Sequence, residues 1–171
     1  MEASRSQQEP MIIPEPQREH KWLEKLIGEW TIEGEASMEP GKPPEKYEGT
    51  LNVRSLGGLW ILAECEGDMP CVGPATTLMT LGYNPQKSRF VGTFMGSMMT
   101  HLWIYDGSLD AERRVLTLDT EGPSMTDETK MAKFQDIVEF KNDDHWVLRS
   151  QVLGDGGNWH EFMMADYKRR K

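Results

Sequence analysis

Four histidines, two cysteines and 28 carboxylates are the groups with which this chain could do chemistry. A metal site built from local spacing needs His-x-His, His-x-x-x-His or Cys-x-x-Cys, intervals that bring two donors to one face of a strand or helix. His20, His101, His145 and His160 form no such pair, and Cys65 and Cys71 bracket the five residues "EGDMP". No metal site is expected. The two cysteines read as free thiols of a reducing compartment, although a bridge across that loop is geometrically possible. Nucleophile and phosphate motifs are missing as well: there is no Gly-x-Ser-x-Gly, no P-loop and no Gly-x-Gly-x-x-Gly. "GDGGNW" is rich in glycine but joins two strands, so it is a turn. Glu161 shares a strand face with Trp159 and Met163; a carboxylate buried there would have a raised pKa and could act as an acid. His101 shares a face with Trp103 and Tyr105 and could orient a ligand, or belong to a structural hydrogen bond. His20 is expected on the exposed side of a helix, and His145, in "KNDDHW", in a turn. No catalytic set assembles from these residues.

The elements that must position them are legible from periodicity. Residues 1–13 are polar and proline-bearing and are expected to form a mobile arm, with one domain over residues 14–171. Trp22, Leu23, Leu26 and Ile27 recur at helical spacing, and Gly28 is a stop signal. After Gly28 the period becomes two: Trp30, Ile32, Gly34, Ala36 and Met38 share one face, and Thr31, Glu33, Glu35 and Ser37 the other. "KYEGTLNV", "LWILAECE", "TTLMTLGYN", "SRFVGTFMG", "HLWIYDG", "RVLTLDT", "MAKFQDIVEFK", "HWVLRSQVLG" and "NWHEFMMADYKR" continue the strand pattern between short turns. About ten strands in sequence, without an intervening helix, predict an antiparallel meander. Closing it into a barrel removes two long edges. The expected fold is all-β: a roughly ten-stranded antiparallel up-and-down barrel, one end closed by the short N-terminal helix.

The junction "LIGEWTIEG" ties the two parts together. Gly28 lets the chain turn sharply, and Trp30 then lies on the apolar face of the first strand, where its indole can plug the barrel beneath the helix. A helix followed by Gly-x-Trp at the first strand resembles the calycin superfamily of lipocalins, fatty-acid-binding proteins and nitrobindin-like barrels. More narrowly, "HKWLEKLIGEWTIEG", "LGYNPQKSRFVGTF" and "HLWIYDG" resemble a bacterial family known as domain of unknown function 1579, over roughly residues 14–168. The wider resemblance implies a basic side chain from the last strand over Trp30. The face Trp159, Glu161, Met163, Ala165, Tyr167, Arg169 nominates Arg169, or Lys168 if a bulge shifts the register. It also raises haem as a cofactor, since nitrobindin-like barrels hold iron through a late histidine. His160 is similarly late, but parity places it opposite Met163.

A ten-stranded barrel is wider than its side chains need fill, so an interior cavity is expected. The apolar parities nominate Ile32, Met38, Leu51, Phe90, Phe94, Trp103 and Met163 as its lining, with His101 as its polar member. Twelve methionines, with Met95, Met98 and Met99 clustered in "FMGSMMTHLW", suit a pocket of adaptable shape. The formal charge of −9, with "KRRK" the one basic cluster, argues against nucleic acid and against an anionic membrane surface. With no apolar leader and no membrane-length run, a cytoplasmic protein is expected. The leading expectation is non-enzymatic binding of a small apolar or amphipathic molecule. A haem barrel and a structural scaffold, as a homodimer, are the competing ones.

Overall fold

The computed structural model describes residues 9–171, so residues 1–8 of the expected arm lie outside the described residues. Residues 9–13 have no regular secondary structure, and Met11, Ile12 and Ile13 are exposed. Deleting residues 1–13 is expected to leave the unfolding midpoint unchanged, because these exposed side chains bury nothing. A midpoint lowered by several degrees would show that the arm packs on the barrel.

Helix α1 spans Arg18–Leu23 and continues as one 3₁₀ turn, Glu24–Leu26. Ten strands follow: β1 Gly28–Ala36, β2 Glu45–Leu56, β3 Trp60–Met69, β4 Gly73–Asn84, β5 Arg89–Gly96, β6 Trp103–Leu109, β7 Val115–Pro123, β8 Met131–Asn142, β9 His145–Leu153 and β10 Trp159–Arg169. Each pairs antiparallel with its neighbour in sequence, and β10 returns to β1, closing the barrel. Among the described residues no helix is long and apolar enough to cross a membrane.

The helix closes one end. Trp22 turns its indole edge-on to Phe140 and Phe90, and its Nε1 donates to the carbonyl of Arg113 at 2.7 Å. Leu23 and Leu26 complete the stripe that the helical spacing required. Gly28 has φ 132°, a backbone conformation that side chains rarely adopt, and a Cβ there would meet Arg169 Nη1 at 2.6 Å. Trp30 is 0% exposed; its Nε1 donates to Leu26 O at 2.9 Å and its ring lies edge-on to Trp146. The Arg169 guanidinium sits 4.1 Å over the Trp30 ring and donates to the carbonyls of Ile27, Lys25 and Asp143. One arginine thus ties the end of the last strand to the helix exit.

Three expectations need correction. His20 is buried, not exposed: α1 lies across the barrel end, so the ring faces β4. Its Nδ1 accepts from Gln17 N–H at 2.9 Å, which leaves Nε2–H to donate to Tyr83 O at 3.1 Å. Met38 lies beyond the end of β1 and is 41% exposed, because the strand stops at Ala36. His145 opens β9 rather than sitting in the turn, and its Nε2 lies 2.7 Å from Asp166 Oδ1.

Two irregularities shape the walls. A bulge on β10 between Glu161 and Met163 resets the strand's parity. The ladder between β6 and β7 is incomplete: Asp106–Leu109 pair with Leu116–Asp119, whereas Trp103–Tyr105 pair only with β5 and Thr120–Pro123 only with β8.

Candidate functional site

Above the tryptophan plug the barrel interior holds a cavity of about 90 Å³. Alternation along the strands aims one side chain in two inward, so the wall is built by position rather than by any local motif. Ile32, Leu51, Phe94 and Met163, named from sequence, contribute to it. The others do not. Phe90 packs against Trp22 and Tyr83 at the closed end. His101 lies in the connection between β5 and β6, with Nε2 3.0 Å from Glu121 O and its ring edge-on to Trp103. Trp103 stands nearer the mouth, against Phe134 and Gly122, its Nε1 donating to Met99 Sδ at 3.1 Å. Reading "HLWIYDG" as strand throughout misplaced His101, since β6 begins only at Trp103.

The lining that periodicity missed is aromatic and adaptable. Ala63, Met69, Met79, Tyr47, Trp146 and Tyr167 also face the cavity. Tyr167 stacks on Trp146 at 3.7 Å, and Tyr47 covers Gly34, where a Cβ would collide with its ring. Met69, Met79 and Met163 are unbranched and can move aside for a guest.

Toward the mouth lies a polar cluster on three strands. Asp136 of β8 points inward, its Oδ2 accepting from the Tyr105 hydroxyl of β6 and its Oδ1 from Ser150 Oγ of β9 at 2.5 Å. Burial pushes the Asp136 carboxyl above the usual carboxylate range, and the two hydrogen bonds pull the other way. Burial also lifts the phenols of Tyr105, Tyr167 and Tyr47, and the nearby Asp136 charge adds to this, so all three stay neutral at ordinary pH. Cys65 lines the cavity half-buried, its thiol pushed up by burial, and Cys71 is exposed; neither is bridged. The signal for Asp136 lay in "KFQDIVEF", where Phe134, Asp136, Val138 and Phe140 share one parity. A carboxylate on the apolar side of a strand is the feature to have seized on.

The acid and haem candidates fare differently from their sequence reading. Glu161 precedes the bulge, so it leaves the face of Met163; it is exposed and pairs with Arg149 at 3.5 Å. The bulge also pairs His160 with Val152, yet the ring is exposed at the rim, beside Gly154. His160 does not line the cavity, and no other histidine does, so none is placed to hold an iron there. These residues do not fit interior haem. Among the described residues no group of three or more His, Cys, Asp or Glu could hold a metal ion.

Two solved structures share this architecture. Rv2717c from M. tuberculosis matches with a TM-score of 0.59 at 13% identity, over 92% of this chain and 100% of that one. The S-type phycobiliprotein lyase CPES from Guillardia theta matches with a TM-score of 0.57 at 14% identity, over 89% of this chain and 92% of that one. At such identities the likeness is one of fold. No curated protein matches the chain. The family comparison is decisive where those are not: with a match running from residue 15 to residue 169, helix to last strand, the chain belongs to the family described as protein of unknown function (DUF1579).

Proposed function

We propose that this barrel is a non-enzymatic container for a small, largely apolar molecule held in its interior. The observation that supports this most is the unfilled space of about 90 Å³ inside the barrel, walled by aromatic, aliphatic and methionine side chains. Packed interiors leave few voids larger than a water, and the lining of a void forfeits its contacts, so an occupant would restore them. The resting space is smaller than the roughly 150 Å³ of a dry cavity that takes up benzene. Binding of anything larger therefore requires Met69, Met79 and Met163 to give way. Binding fits the polar groups better than catalysis does. Both oxygens of Asp136 are already engaged by the hydroxyls of Tyr105 and Ser150, which ties the cluster up in its own hydrogen bonds.

Filling the cavity is the test. Ala63 is buried in the wall, and Ala63→Leu adds three carbons facing the space. This variant is expected to fold with an unchanged far-UV circular dichroism spectrum and to bind Nile red, a neutral apolar dye, at least about tenfold more weakly than the parent chain, a difference of roughly 1.4 kcal/mol. Equal affinity in the two proteins would place the dye elsewhere and remove the interior from consideration.

A further inference from the structure

The incomplete ladder between β6 and β7 bears on how a guest reaches the interior, an inference that rests on the container reading. Past Asp106 and Asp119 the two strands no longer pair, although each keeps its other neighbour. The Trp103 indole occupies the resulting seam: it lies over Gly122 so closely that any Cβ there would collide with the ring. Trp103 pairs with Phe94, which lines the interior cavity, and touches Phe134 on its other side at 4.9 Å between ring centres.

Outside the seam runs a groove of about 700 Å³, a size suited to a drug-sized molecule. Its wall mixes the two faces of the sheet. Ile104 and Met131 are outward residues, 66% and 61% exposed, whereas Thr120 and Phe134 belong to the inward parity of β7 and β8. An intact ladder would keep these two sets apart. Thr120 is 8% exposed, and its hydroxyl has no hydrogen-bond partner among the described residues, a cost of about 1–3 kcal/mol unless something supplies one.

We infer that the β6–β7 seam is the entrance and outer half of the ligand site, with Trp103 as its movable wall, and that it admits uncharged apolar molecules bearing a hydrogen-bonding group rather than fatty-acid-like carboxylates. The charge preference follows from the lining. Asp106, Asp119 and Glu121 rim the groove against Lys133 alone, and Arg89 is committed to Asp106 and Asp119. Farther in, the hydroxyl donors of Tyr105 and Ser150 are both spent on Asp136, which leaves an anion no donor there, and Arg169 is locked over Trp30 at the closed end. A carboxylate drawn inside would stay unpaired.

The experiment compares Nile red, which is neutral and carries a carbonyl, with the anionic dye 1-anilinonaphthalene-8-sulfonate, by stopped-flow and equilibrium fluorescence at low salt. Trp103→Ala is expected to speed both association and dissociation of Nile red by about tenfold or more. Glu121→Lys, at the rim of the groove, is expected to speed association of the sulfonate about fivefold relative to Nile red, through steering at the mouth. Glu66→Lys on β3, away from the seam, is the control and should do neither. If Nile red binds but neither variant changes its kinetics or those of the sulfonate, or if Glu66→Lys acts like Glu121→Lys, the seam is not the entrance and the container reading stands. If Nile red does not bind the parent protein at all, both fall.

Discussion

Replacing Trp30 by alanine is expected to destabilise the protein by about 3–5 kcal/mol, the usual cost of truncating a large buried aromatic. The ring is fully buried and serves three elements together. It donates to Leu26 at the end of the helical segment, meets Trp146 of β9 edge-on, and supports Arg169 at the end of β10. Its loss leaves a hole under α1 and releases the guanidinium from its seat, an attraction worth roughly 1–2 kcal/mol by itself when desolvated. Arg169→Ala should therefore cost less than Trp30→Ala, and the double variant should cost less than the sum, because the partners share one contact. Denaturant midpoints of the three variants measure this. Additive losses would mean that Trp30 and Arg169 act independently, and a loss below about 1 kcal/mol for Trp30→Ala would refute the plug.

The second large effect belongs to Asp136. Asp136→Ala orphans the hydroxyls of Tyr105 and Ser150 in a buried site and is expected to cost about 2–6 kcal/mol, at about 1–3 kcal/mol per unpaired donor. Its pH dependence has a definite sign. Burial raises the folded-state pKa above the unfolded value of about 3.9, so the folded chain keeps this proton where the unfolded chain has lost it. The stability this group contributes is complete below about pH 4 and drains away as pH rises through the raised pKa. Asp136→Asn carries no such slope. Urea midpoints of the parent and of Asp136→Asn across that window should show the parent losing ground to the variant as pH rises. A parent that gains ground instead would mean that the Tyr105 and Ser150 hydroxyls outweigh burial and hold the carboxyl ionised.

How far the sequence carried can be judged residue by residue. The strand count, the closing helix and the position of Trp30 were legible because each follows from spacing alone: a 3.6 period, a glycine, then a period of two. The hairpin at "PQK" was legible in the same way, lying between β4 and β5. The limits are equally physical. A bulge adds one residue without marking itself, so Glu161 and His160 were assigned faces on a parity that Phe162 breaks. Where a strand starts and stops depends on pairing across space, which is why His101 was read into the start of β6 and Met38 into the end of β1. Which inward side chains border a void, and which fill it, depends on packing depth. Phe90 and Phe94 share a strand face, yet only Phe94 reaches the cavity. The cluster around Asp136 joins residues 105, 136 and 150, and no local window contains all three.

The most direct test of the central claim is a titration of Nile red followed through methionine methyl resonances, with each of the twelve methionines assigned by substitution. The container account predicts that the methyls of Met69, Met79 and Met163, which line the interior, move together and saturably with the dye. Shifts confined to the exposed Met38, Met95 and Met164, with the three interior methyls unmoved at saturation, would contradict it.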